Sequence, residues 1–174
     1  MSQNLVTVAV VGDTHACAFK EIAGEILDVV DASDWLIHVG DYISKDVFDG
    51  FRDLKKERFR GVYGNTDPMS IWMEVPSKDI VEIGGKRIGI THPSAGGPAE
   101  DLEKRVLAQF QYDDVDVVVF GHAHEPMNKV VDRMLLFSPG KGYKEQSYFG
   151  PATSIGRLLI GKTICGEILM IGSI

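Results

Sequence analysis

Apolar residues change their spacing several times along the chain, and each change marks an expected element. The run LVTVAVV (Leu5 to Val11) is short, β-branched and closed by Gly12, the pattern of a buried strand. Next, FKEIAGEILDVVDAS (Phe19 to Ser33) sets Ile22, Ile26, Leu27 and Val30 at helical spacing, so one amphipathic helix is expected there. DWLIHVGD reads as a second buried strand, DVFDGFRDLKKE as a second amphipathic helix with a basic end, and RFRGVYGNTD as a third strand. This βαβαβ order implies a parallel sheet with right-handed crossovers.

The middle of the chain changes character. KDIVEIGGKRIGITHP reads as two short strands around Gly84 and Gly85, a hairpin. GGPAEDLEKRVLAQFQYDD carries loop glycines, a proline and acids near a helix start, then Leu102, Val106 and Phe110 on one face. VDVVVFGHAH is another buried strand. NKVVDRMLLFSPG, TSIGRLLIG and ICGEILMIG read as strands separated by Gly, Pro and Ser. No repeat, low-complexity tract or linker is evident, so the expectation is one domain over residues 1–174, α/β at first and β-rich in its second half. The apolar GEILMIGSI at the end is a candidate edge strand or homo-oligomer interface. The preferred reading is core of a second sheet.

A chain of 174 residues suits one sizeable core, and 44% hydrophobic with 25% charged residues argues against disorder. The net charge of −7 offers no general footprint for nucleic acid or an anionic membrane. An acidic protein that handles phosphates needs a local source of positive charge, and metal ions are the usual one. Cys17 and Cys165 match no CxxC spacing, which fits a reduced, cytoplasmic chain without a disulfide framework. The N-terminal segment shows no basic n-region or cleavage site, and no apolar stretch approaches the roughly 20 residues of a membrane span.

Polar residues interrupt the strands at matching places. The first ends in Asp13 and His15, the second in Asp41, the third in Asn65 and Asp67. The hairpin ends in His92, and the later strand in His122 and His124. In a parallel sheet such carboxyl ends share one edge, where open α/β folds form ligand crevices. A mixture of carboxylate and imidazole suits Mn, Fe, Ni or Zn, and the absence of thiolates disfavours a closed structural zinc site. His38, inside LIHVGD, is assigned to the core instead.

Taken in order, GDTH, GD, GNTD, TH and GHAH resemble the calcineurin-like metallophosphoesterase superfamily. The short chain with GNTD is similar to the superfamily's small bacterial and archaeal phosphodiesterase branch. SPG at Ser138 to Gly140 resembles a later Asn-Pro-Gly block, with Ser138 in a structural role. The resemblance implies a two-sheet αββα sandwich and two divalent metal ions, manganese first, with nickel, iron or zinc as alternatives. Asp13, His15 and His124 would hold one ion, Asn65, His92 and His122 the other, and Asp41 would bridge both. It further implies attack on a small phosphoester by a metal-bridging hydroxide, with Asp41 and Asn65 as catalytic residues.

Asp67 is a candidate for leaving-group help, against a reading as a cap or hydrogen-bond partner. Thr66 stands where many phosphomonoesterases of the superfamily have His, which favours diesters. Pro93 biases His92 toward extended backbone, and SAGGPAED after it is a candidate wall of the substrate site. Cys17 is read as a small buried residue, with substrate contact as the alternative, and no Arg occupies an obvious phosphate-clamping position. Two other functions stay open: a phosphomonoesterase with the same metals, and a non-catalytic scaffold, since the fold also resembles a retromer subunit of the vacuolar sorting family.

Overall fold

The computed structural model describes residues 5–94, 101–144 and 150–172. The first half contains β1 (Val6–Val11), α1 (Gly24–Ala32), β2 (Trp35–His38), α2 (Lys45–Lys55), β3 (Phe59–Gly61), α3 (Met69–Trp72), β4 (Lys78–Ile83) and β5 (Lys86–Thr91). There follow α4 (Leu102–Gln109), β6 (Val117–Phe120), β7 (Pro126–Val131), β8 (Met134–Pro139), β9 (Ser154–Ile160) and β10 (Ile164–Met170). One sheet runs β10-β9-β1-β2-β3 and the other β4-β5-β6-β8-β7. The strands β1, β2 and β3 are parallel, as are β5, β6 and β8, while the outer strands pair antiparallel.

Alternation along the strands explains the layers. Ala9 and Val11 of β1 face helices, packing with Ile26 and Val30 of α1 and Phe48 and Phe51 of α2. Val8 and Val10 face the other way, meeting Ile88 and Ile90 of β5 and Val117 and Val119 of β6. Across the second sheet, Val118, Phe120 and Leu136 turn outward onto Leu102, Val106 and Phe110 of α4. Both faces of each central strand are therefore covered, which is why their sequences are continuous apolar runs. The result is the expected αββα sandwich.

Three details differ from the sequence reading. The first helix does not begin at Phe19: a 3-10 turn spans Phe19–Glu21, and Ile22 and Ala23 are extended before α1. The Glu21 carboxylate turns back to accept the N–H groups of Cys17 and Ala18, which competes with continued helix. The short helix α3 follows Pro68 in a stretch with no helical periodicity. Finally, β10 is an edge strand of the first sheet rather than core of the second. Its partner β9 pairs with β1, and the tight turn at Gly161 returns the chain beside β9. Among the described residues no helix is long and apolar enough to cross a membrane.

The two sheets meet tightly at Phe137 of β8. A Cβ on Gly156 of β9 would overlap the Phe137 ring, and one on Gly166 of β10 would lie 2.7 Å from it. The missing side chains are the space that the ring fills. Gly156→Ala is expected to destabilise the fold by about 1–3 kcal/mol, since inserting atoms into a filled core forces neighbours off their rotamers. An unchanged urea-unfolding midpoint would contradict this packing argument.

Candidate metal centre

The C-terminal ends of five parallel strands from the two sheets open on one crevice. β1 delivers Asp13 and His15, β2 Asp41, β3 Asn65 and Asp67, β5 His92, and β6 His122 and His124. Five of these residues have left-handed backbone: Asp13 (φ 48°), His15 (41°), Asp41 (60°), His122 (76°) and His124 (57°). Each such conformation costs on the order of 1–3 kcal/mol away from glycine and persists where packing over-determines it. Asp and His are among the side chains that tolerate this region best. The glycines preceding these residues serve close approach. A Cβ on Gly64 would overlap Asp41 Oδ1, and one on Gly121 would sit 2.6 Å from the Val39 carbonyl and 2.7 Å from His92 Nδ1.

Two trios result: Asp13 with His15 and His124, and Asp41 with His92 and His122. Within each, one donor atom per residue lies within 4.8 Å of the others. His124 Nε2 is 3.3 Å from Asp13 Oδ1, and His15 Nε2 is 4.0 Å from the same oxygen. Asp41 Oδ2 stands between the trios, 3.4 Å from both His15 Nε2 and His92 Nε2. Asn65 Oδ1 lies 3.2 Å from His92 Nε2. All seven residues expected as ligands therefore converge.

These residues fit divalent cations. The buried His15 Nε2 has no hydrogen-bond partner, and a buried polar atom aimed at carboxylates calls for a cation or proton between them. The donors are oxygen and imidazole nitrogen without thiolate, which suits Mn, Fe, Ni or Zn.

Groups behind these side chains orient them. His92 Nδ1 donates to the Val39 carbonyl at 2.7 Å, so its Nε2 lone pair faces the crevice. The Asp13 carboxylate accepts the His122 N–H at 3.1 Å, and Asp41 Oδ1 accepts the Thr66 N–H at 3.0 Å. Asp67 is buried beneath the centre: Oδ2 accepts the N–H groups of Asp41 (3.0 Å) and Gly64 (2.7 Å), and Oδ1 that of Ile43 (2.8 Å). One carboxylate thus ties the Asp41 loop to the Asn65 loop.

His38 is a core residue, as expected. It is fully buried, stacked on Tyr42 with centroids 3.7 Å apart. Gly40 N–H donates to its Nδ1, leaving Nε2–H to reach Thr14 Oγ1 at 3.3 Å, so it braces the turn between Asp13 and His15.

Charge in the crevice is strongly coupled. Burial opposes ionisation of Asp41, but the imidazoles of His15 and His92 and the Thr66 N–H outweigh it and hold the carboxyl well below the usual carboxylate range. Burial also works against a charged His92, yet Asp41 and Asp13 raise its pKa. His124 is raised chiefly by its bond to Asp13, whereas burial lowers His122. Burial, reinforced by the neighbouring Asp41 charge, raises Asp67. Protons and metal cations therefore compete for the same imidazoles.

Two neighbours escaped the sequence reading. Tyr143 brings its hydroxyl to 3.4 Å from His124 Nδ1 and its ring edge-on to His15, and Lys141 is buried with its ammonium 4.6 Å from the Tyr143 ring centre. Only Lys141 had a signal, its place directly after SPG. Cys17 corrects an expectation: it is exposed, because its backbone is drawn into the Glu21 turn at the surface. Most of the SAGGPAED segment, residues 95–100, lies outside the described residues.

Residues 6–153 match the profile of the calcineurin-like phosphoesterase superfamily domain. A probable metallophosphoesterase of Methanocaldococcus jannaschii is 34% identical over 136 residues, 76% of this chain and 66% of that protein. A phosphodiesterase of the same organism is 30% identical over 117 residues, 61% of this chain and 66% of its own. In structure, the zinc complex of Vps29 from Entamoeba histolytica superposes with a TM-score of 0.73 at 21% identity, covering 95% of this chain and 99% of that one.

Two outcomes are expected from this geometry. Asp67→Asn, which weakens the carboxylate bonds but keeps the shape, should lower metal affinity about 10–100-fold with every ligand still present. Calorimetric titration would expose an unchanged affinity. Burial keeps His38 neutral, its pKa well below the ordinary 6.5. The unfolded chain takes up that proton as pH falls through about 6.5 while the fold does not, so stability is full above that pH and declines below it. His92 and His124, raised in the fold, act in the opposite sense, so the test is a difference: in chelator, going from about pH 7.5 to about pH 5.5 should cost the wild type more urea midpoint than it costs His38→Gln. Equal drops would remove His38 as a cause.

Proposed function

The chain belongs to the calcineurin-like phosphoesterase superfamily, and from that premise we propose that it is a dinuclear metal-dependent phosphodiesterase acting on small phosphoesters. The observation that carries the reading is Asp41 Oδ2, equidistant at 3.4 Å from one imidazole of each trio. That position supports a carboxylate bridging two cations. Asp13, His15 and His124 would hold the first ion, and Asn65, His92 and His122 the second. When bound, the ions would supply the charge that offsets the phosphoester and the acidity that makes water nucleophilic at neutral pH.

The chain's own groups set the conditions for that chemistry. Asp41, kept ionised, fixes the separation of the two halves. Asn65 contributes a neutral oxygen, so the second half carries less negative charge toward an anionic ester. We assign Asp67 to positioning rather than to leaving-group protonation, because both its oxygens accept backbone N–H groups. Thr66 is exposed and carries no acid of suitable pKa. Ester arms that leave without a proton are therefore favoured, which supports diesters and activated leaving groups over phosphomonoesters. Manganese is our first choice of ion and the cytoplasm our proposed compartment, given the sparse cysteines. Likeness to Vps29 at 21% identity is likeness of fold. The complete ligand set favours turnover over the scaffold reading.

The test is removal of metal with a chelator, then separate restoration of Mn, Ni, Zn and Mg, with an activated aryl phosphodiester and its matching monoester as substrates. Restored turnover, manganese foremost and the diester preferred, is the expected result. Monoester preference would overturn the diester assignment. Bound metal with no turnover on either ester would turn the reading toward the scaffold.

A further inference from the structure

A cleft of about 550 Å³ opens on the Asn65 and His92 side of the metal centre, lined also by Tyr63, Trp72, Lys78 and Gln109. Tyr63 and Trp72 are stacked, with ring centroids 5.1 Å apart and planes 28° from parallel. Tyr63 is half-buried and packs on the helical side of the core, while Trp72 remains 45% exposed. The indole is nevertheless held in place. It ends α3, which is anchored by the fully buried Ile71 and follows the cap residue Pro68, three residues after Asn65. Folding alone does not call for a large aromatic here, since an exposed indole buries only part of its apolar surface.

The polar character of the cleft is largely committed. Lys78 Nζ bonds the Asp113 carboxylate and the Gln109 carbonyl, both at 2.6 Å. Its charge is thereby spent on the protein, and the cleft selects by aromatic surface more than by charge. Stacking on Tyr or Trp accepts any planar π-system, nucleobases included.

We propose that the Tyr63–Trp72 pair is the ester-arm subsite of this centre, taking the planar aromatic or heteroaromatic group of a phosphoester. The inference rests on the preceding reading only in that the phosphate is held at the metal centre. It assigns substrate class to two residues outside the ligand set.

The chain has two tryptophans, so Trp35→Phe leaves Trp72 as the single reporter. Manganese-loaded Trp35→Phe protein, mixed rapidly with adenosine 5′-phosphate, should show saturable quenching. Ribose 5-phosphate, which has the same phosphate but no base, should give no quenching and bind about tenfold more weakly by competition. In equilibrium dialysis, Trp72→Ala should weaken adenosine 5′-phosphate about tenfold, and Trp72→Phe should restore most of the loss. Equal affinity for the two phosphates, or an unaltered Trp72→Ala, overturns the subsite. The base-dependent quench survives if the protein proves to prefer monoesters. Intact diester turnover without the quench removes the subsite and leaves the phosphodiesterase.

Discussion

The centre depends on one carboxylate and the backbone that holds it. Asp41 leaves β2 in a left-handed conformation, its N–H taken by Asp67 and its Oδ1 by the Thr66 N–H. Only Oδ2 is left to face His15 and His92. Each trio gathers residues that follow strands of both sheets, Asp13 and His15 after β1 with His124 after β6, and Asp41 after β2 with His92 after β5 and His122 after β6. The Asp41 carboxylate lies where the trios meet. Moving it by one rotamer would take away the oxygen that stands 3.4 Å from an imidazole of each trio.

Such a site opposes the stability of the fold that carries it. Five strained backbone positions, several buried charges and an unpartnered imidazole nitrogen all disfavour the metal-free folded state. What opposes them is the double-sided burial of the central strands and the interlocking of Phe137 with Gly156 and Gly166. The sheets meet tightly at this packing, which favours a fixed spacing of their carboxyl ends. Rigidity of the sandwich is thus converted into precision of the crevice.

An acidic chain in a phosphoesterase superfamily raises an electrostatic question, and the arrangement answers it locally. The carboxylates of the centre collect positive charge, as protons on His92 and His124 or as cations in their place. Further out, Lys78 is neutralised by Asp113, and the aromatic pair beside it has no charge to offer. On the proposed reading, attraction for the anion is therefore concentrated at the two trios, and the adjoining cleft is left to discriminate by shape and stacking.

The strands, their parallel order in the first half and the polar residues that end them are legible in the chain before any folding. These follow from local rules: apolar runs of strand length, amphipathic spacing, and Asp, Asn or His after Gly at the point where a strand must stop. The sequence also separates His38 from the other histidines, because His38 sits inside its apolar run and the rest sit beyond theirs. Tertiary contacts settled the return of β9 and β10 to the first sheet, the break before α1, the exposure of Cys17, the three backbone N–H groups that Asp67 accepts, and the places of Lys141, Tyr143 and Trp72 along the crevice. Those outcomes depend on pairings between residues tens of positions apart, such as Val8 with Leu158, or Asp41 with Asp67. Periodicity reports which way a side chain faces. It does not report what the chain will bring to meet it.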